Sequence, residues 1–111
     1  MIFFTLTATT DPGSMQNTTN VPFMRLVENF DPFLLCPKCE IICTADSRHC
    51  FICNKCVERY DHHCLWVNNC IGIRNHQYFY IFIVLEFLYV FLVLIMTCFN
   101  VFLVIDEEKL E

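Results

Sequence analysis

From Tyr78 to Ile105 the chain runs through twenty-eight residues of which only Glu86 carries a formal charge. About twenty apolar residues suffice to cross the hydrocarbon core of a bilayer, so residues 78–105 predict a transmembrane α-helix with length to spare for tilt. Tyr78, Phe79 and Tyr80 stand where an aromatic belt would lie at the membrane interface. Glu86, Thr97 and Asn100 fall within about 40° of one direction at 100° per residue. Polar groups in hydrocarbon normally face other helices or a wet cavity, so this helix is expected to sit in a bundle. Residues 106–111 form an acidic tail. Upstream the periodicity disappears. Residues 1–35 show only turn punctuation, Asp11-Pro12-Gly13 and Asn17-Thr18-Thr19-Asn20. They are expected to form a flexible N-terminal lead, with a short membrane-touching stretch around residues 30–35. Asn17-Thr18-Thr19 also matches a glycosylation acceptor, which matters only in a lumenal chain.

Composition changes the picture between these two segments. Eight of the nine cysteines and three of the four histidines fall within residues 36–70. Such a stretch cannot bury a conventional core, and the segment 36–77 is expected to fold around metal, each structural zinc supplying about 10–16 kcal/mol. Met1-Ile2-Phe3-Phe4-Thr5-Leu6 lacks the basic region and the apolar length of a secretory signal. Reduced thiols holding metal therefore fit better than a secreted disulfide scaffold. The net charge of −5 argues against nucleic acid, which asks for a basic face. Six of the seven basic residues precede the apolar segment and only Lys109 follows it, so the cysteine-rich segment is expected to face the cytosol.

The ligand spacing is Cys36-x2-Cys39, then His49-Cys50-x2-Cys53-x2-Cys56, then His63 and Cys70. Two Cys-x2-Cys hooks interleaved with imidazoles indicate zinc rather than an iron–sulfur cluster. Neighbouring residues of an extended chain point to opposite sides, so His49 and Cys50 should serve different ions. An interleaved partition follows: Cys36, Cys39, His49 and Cys56 on one zinc, and Cys50, Cys53, His63 and Cys70 on the other. Each is a closed Cys3His set, structural in kind. Cys43, His62 and Cys64 remain unassigned. If Asp61-His62-His63-Cys64 is extended, His62 and Cys64 share a side while His63 turns to the metal. Asp61 could then hold the far nitrogen of His62, a Cys–His–Asp arrangement suited to nucleophilic catalysis. The same residues can equally be structural, with Cys64 a spare ligand, and spacing alone leaves both open.

The full run continues through Asp61-His62-His63-Cys64-x-Trp66-Val67-x-Asn69-Cys70-Ile71-Gly72-x2-Asn75-x3-Phe79 and into the apolar segment. This pattern resembles the DHHC-type protein S-acyltransferases over residues 36–79 and beyond. The resemblance implies two structural zinc ions, Cys64 as the acyl-accepting nucleophile, Asp61 and His62 as its activating pair, and Trp66 near the acyl chain. It implies a ping-pong reaction in which a fatty acyl-CoA such as palmitoyl-CoA acylates Cys64, and the acyl group passes to a cysteine of a membrane-proximal protein. Acyl-CoA, such client proteins and membrane lipids are the implied partners. The family usually carries an Arg/Lys-Pro-x-Arg run where this chain has Cys43-Thr44-Ala45-Asp46, and a proline where it has Leu65. The family also has four membrane helices, with the zinc domain between the second and third, so this chain is expected to be a piece of a larger protein. The expected architecture is an integral membrane protein: a small irregular zinc-stapled domain with short β-hairpins, followed by one transmembrane helix. A catalytically inactive zinc-binding membrane module for protein interaction is the competing expectation.

Overall fold

Among the described residues, five of the buried apolar side chains are cysteines: Cys36, Cys50, Cys56, Cys64 and Cys70. Leu26, Ile41, Val57, Val67 and Ile71 are also buried, and no continuous hydrocarbon core joins them among the described residues. Thiol pairs hold the interior together instead, in two small clusters around Cys36/Ile41/Cys56 and Cys50/Val57/Cys70. The computed structural model describes residues 1–17 and 21–108. Two compact units make up the chain, Met1–Phe79 and the stretch from Tyr80 onward.

In the first unit, helix α1 (Ile2–Thr9) leads into strand β1 (Ser14–Met15), helix α2 (Phe23–Asn29) and a single 3-10 turn, Pro32–Leu34. Six short strands follow: β2 (Leu35–Cys36), β3 (Ile41–Ile42), β4 (Arg48–Cys50), β5 (Lys55–Val57), β6 (His62–Cys64) and β7 (Asn69–Ile71). They pair as three antiparallel hairpins, β2–β3, β4–β5 and β6–β7, and β1 adds to the free edge of β5. Each hairpin turns through four residues, the last of them left-handed: Glu40 (φ 53°), Asn54 (φ 51°) and Asn68 (φ 50°). Asparagine visits this region at little cost, and Glu40 is held there while its carbonyl accepts from the Asn17 amide at 2.9 Å.

The segment expected to be a flexible lead is built into the first unit through its first half. Asp11 accepts from the Gly13 and Ser14 amides at 2.9 and 2.8 Å and from the Ser14 hydroxyl at 2.6 Å. That turn needs Gly13 at φ 107°, where a β-carbon would also meet the Ile73 side chain at 2.7 Å. Burial opposes ionisation of Asp11, but the Ser14 and Gly13 hydrogen bonds and Lys55 outweigh it and hold its carboxyl below the ordinary range. The turn's carbonyls then bind the strands: Gly13 accepts from the Glu58 amide and Pro12 from the Arg74 amide. At the end of α1 the Asn69 amide group shares its two N–H donors among the Thr7, Ala8 and Thr10 carbonyls at 2.9–3.2 Å. Those carbonyls have no partner within the helix, so an asparagine some sixty residues away caps it. Composition could not reveal this, because the lead supplies mostly backbone groups and the matching side chains come from β7 and beyond.

Helix α3 (His76–Glu108) begins two residues earlier than the expected span and carries through it. Its apolar stretch His76–Asp106, 31 residues, is long and apolar enough to cross a membrane, at about 46 Å against a hydrocarbon core of about 30 Å. Within the helix Thr97 donates to the Val93 carbonyl at 2.8 Å and Asn100 to the Met96 carbonyl at 2.7 Å. Two of the three polar side chains predicted to seek neighbouring helices thus bond one turn back along their own. Lys109 and the end of the acidic tail lie outside the described residues, as do Thr18 and Thr19 of the glycosylation triplet.

Candidate metal centres and the Cys64 strand

Two groups of four side chains converge among the described residues: Cys36, Cys39, His49 and Cys56, and Cys50, Cys53, His63 and Cys70. In each group the ligand atoms all lie within 4.8 Å of one another. These are the two sets that the interleaved spacing predicts. The hairpins explain why. The first hook turns between β2 and β3, the second between β4 and β5, and each quartet is completed by the histidine and cysteine that face each other across the next hairpin. His49 pairs with Cys56 on β4–β5, and His63 with Cys70 on β6–β7. Alternation along β4 then sends His49 and Cys50 to different centres.

The distances suit a tetrahedral ion. His49 Nδ1 lies 3.5, 3.3 and 3.7 Å from the Cys36, Cys39 and Cys56 sulfurs. His63 Nδ1 lies 3.7, 3.3 and 3.5 Å from those of Cys50, Cys53 and Cys70. Zn–S bonds of about 2.3 Å and Zn–N bonds of about 2.05 Å at tetrahedral angles put nitrogen and sulfur roughly 3.5 Å apart. The outer nitrogens, Nε2 of His49 and His63, are buried without a hydrogen-bond partner, so the rings are oriented from the Nδ1 side, toward the sulfurs. Burial pushes the Cys56 thiol far up, and the Cys36 and Cys39 thiols beside it push it further. Burial and the Cys53 and Cys50 thiols do the same to Cys70. Cys36 and Cys50 move the other way: burial raises each, but the Cys39 and Cys53 hook amides and the neighbouring thiols outweigh it. The Cys53 amide donates to the Cys50 sulfur at 3.4 Å, the hook geometry that favours a thiolate. Crowded sulfurs that resist joint ionisation alone are fully deprotonated by a divalent cation at their centre. The donor set, spacing and orientation therefore fit two Cys3His metal sites.

Cys64 belongs to neither quartet. It is the last residue of β6 and is buried, 5% exposed. His62 lies two residues before it on the same strand, which puts both on one face, and His63 goes to the second centre. Asp61 Oδ2 lies 3.6 Å from His62 Nδ1 and 3.8 Å from His76 Nε2. The His62 ring meets Phe79 edge-on at 5.2 Å between centroids. Trp66 is at the β6–β7 turn, 88% exposed. His76 is a neighbour of Asp61 that its position, outside the cysteine-rich run, did not suggest. Asp61 and His76 also line an open cleft of about 630 Å³ with Arg48, Arg59, Tyr60 and Gln77.

A regularity in the sequence accounts for the separate status of Cys64. The three hairpins repeat at a step of 14 residues: Cys36, Cys50 and Cys64 end their first strands, Glu40, Asn54 and Asn68 close their turns, and His49/His63 and Cys56/Cys70 keep the same step. Cys64 thus occupies the first position of a third hook. The second position, held by Cys39 and Cys53 in the other two, is Val67, buried at 4% exposure. A hook with one thiol lacks the second sulfur that would complete a tetrahedral edge, and Cys64 joins neither quartet.

A family model described as DHHC palmitoyltransferase matches residues 29–111 of the chain. Among curated proteins, palmitoyltransferase ZDHHC4 of Bos taurus is 44% identical over 84 residues, covering 71% of this chain and 24% of its own. Palmitoyltransferase Hip14 of Drosophila melanogaster is 41% identical over 76 residues, 62% of this chain and 12% of its own. Palmitoyltransferase swf1 of Schizosaccharomyces pombe is 50% identical over 48 residues, 43% of this chain and 14% of its own. The chain spans about a quarter or less of the length of these curated relatives.

Proposed function

The chain belongs to the DHHC palmitoyltransferase family, whose function is acyl transfer, and on that premise we propose that it carries the acyl-accepting centre of a protein S-acyltransferase. The observation that carries this reading is the position of Cys64: a buried thiol outside both metal quartets, on one strand face with His62, whose Nδ1 faces Asp61. In the proposed reaction His62 takes the Cys64 proton through Nε2, since Nδ1 is turned to Asp61. The thiolate attacks the acyl-CoA carbonyl, the C–S bond to CoA breaks, and the departing CoA sulfur recovers the proton. A cysteine of a membrane-proximal protein then attacks the Cys64 thioester by the same exchange in reverse order. Asp61 orients the His62 ring during each transfer. Trp66, exposed beside the nucleophile, offers an apolar surface to the acyl chain.

We assign zinc to both Cys3His sites because soft thiolates with imidazole in a closed tetrahedron suit that ion. When bound, zinc contributes folding free energy, and the reacting groups are those of the strand it positions. Residues 78–105 cross the bilayer in this reading, with the cysteine-rich segment 36–77 on the cytosolic side, supported by the basic residues that precede the span and by the reduced thiols it requires.

The test is autoacylation with labelled palmitoyl-CoA in membranes, read as a hydroxylamine-sensitive adduct. Loss of the adduct in Cys64→Ser, with both metal ions retained, is expected. An undiminished adduct in that variant refutes the assignment, and a wild-type chain that binds two ions without any adduct is the inactive membrane module.

A further inference from the structure

One thiol of the metal-binding segment has no part in either quartet or in acyl transfer. Cys43 follows β3, where its amide donates to the Leu34 carbonyl at 2.6 Å. Its side chain is half-buried against the first thiol cluster, and its sulfur lies 3.9 Å from that of Cys56 as a donor to it. Cys43 also lines an open groove of about 340 Å³ with Phe33, Leu35, Pro37, Arg48 and Phe51. Cys56 itself is fully buried. The accessible sulfur of this pair is therefore the one that binds no metal, and the inaccessible one is a ligand. We propose that Cys43 is an oxidative modification site for small hydroperoxides, and that Cys56 resolves the oxidised sulfur as a disulfide, which opens the first metal site.

The chemistry balances with one peroxide. The Cys43 sulfur attacks the terminal peroxide oxygen, the O–O bond breaks, and the departing oxygen leaves as an alcohol, or water from hydrogen peroxide, with the thiol proton. Cys43 is then a sulfenic acid. The Cys56 thiolate attacks that sulfur, the S–O bond breaks, and the hydroxide departs as water with a proton from solvent. Two sulfurs are oxidised by two electrons in total and one peroxide is reduced by two. The two sulfurs close from 3.9 Å to a disulfide bond of about 2.05 Å. Cys36, Cys39 and His49 alone remain at the first centre. The second centre, built from Cys50, Cys53, His63 and Cys70, has no comparable fifth thiol in its cluster among the described residues.

The experiment uses the reduced chain in detergent, loaded with zinc and treated with hydrogen peroxide. Released zinc is read with a chromophoric chelator, and disulfides are mapped by peptide mass spectrometry after alkylation of the remaining thiols. One of the two ions should be lost, together with the appearance of a Cys43–Cys56 linkage, and a dithiol reductant should reverse both. Cys43→Ser should retain both ions under the same treatment. Equal zinc loss from Cys43→Ser overturns the proposal, as does a linkage of Cys56 to Cys36 or Cys39 in place of Cys43. Cys43→Ala serves as a second variant, and the disulfide map decides the pairing whatever the metal loading of either variant. Neither readout depends on acylation, so failure here and failure of the acyltransfer reading are separate results.

Discussion

Replacing Asn75 by alanine tests how the first unit is held to its own N-terminus. Asn75 is fully buried, accepts from the Gly72 amide at 3.0 Å, and donates to the Cys70 carbonyl at 2.8 Å and the Thr7 carbonyl at 3.2 Å. Alanine removes all three bonds. The Thr7 carbonyl keeps Asn69, so its loss is partial, whereas the Gly72 amide and the Cys70 carbonyl lose the bonds this side chain makes. At about 1–3 kcal/mol for each of these two buried groups left unsatisfied, the cost is roughly 2–6 kcal/mol. Two bound metal ions would keep the hairpins folded, so the effect should be local: opening of α1 and the Gly72 turn away from β7. Hydrogen exchange by mass spectrometry is the assay. Amide exchange in residues 2–10 and at Gly72 should accelerate by roughly 30- to 25,000-fold. Peptides covering β4–β5 should be nearly unchanged. Asn75→Asp preserves the acceptor for Gly72 but turns a carboxylate oxygen toward two carbonyls, and should be no better than alanine at neutral pH. Less than about a threefold acceleration at Gly72 would refute the reasoning, because a three-bond buried anchor cannot be worth so little.

Other consequences are equally direct. Gly72→Ala would drive a β-carbon into the Pro12 carbonyl oxygen and to 2.5 Å from a Val57 methyl, and should cost about 1–3 kcal/mol or more in chemical denaturation of the metal-loaded chain. Asp11→Ala should loosen the same turn by about 1 kcal/mol, as for a lost helix cap. Because the folded Asp11 pKa lies below its unfolded value, this contribution is complete above about pH 4 and is lost as pH falls through the lower folded value. The wild-type minus Asp11→Ala stability difference, measured by denaturation across that range, should shrink on acidification, and a difference that grows would contradict the assignment. Val67→Cys should restore the third hook: cadmium titration followed by sulfur-to-metal charge-transfer absorption should show a third, weaker equivalent that Cys64→Ser abolishes. Removing both ions with a strong chelator should unfold the hairpins, seen as loss of slow-exchanging amides in β4–β7.

The metal sites and the apolar helix were legible in the sequence because both are governed by short-range rules. A two-residue hook sets two sulfurs on one tetrahedral edge, and strand alternation alone sends His49 and Cys50, or His63 and Cys64, to opposite sides. The 14-residue step that leaves Cys64 without a second hook thiol was also written in the chain, although its meaning depends on seeing that each step is one hairpin. The tertiary structure alone decided the fate of residues 1–15, the pairing of Cys43 with Cys56, and the placing of His76 beside Asp61. Contacts such as Asn69 to Thr7 and Asn75 to Thr7 join residues 62 and 68 positions apart, and their acceptors are backbone carbonyls that every residue type possesses. Hydrophobic period and ligand spacing record which side chains share a local face; they carry no trace of a main-chain oxygen that finds its donor from the far end of the domain.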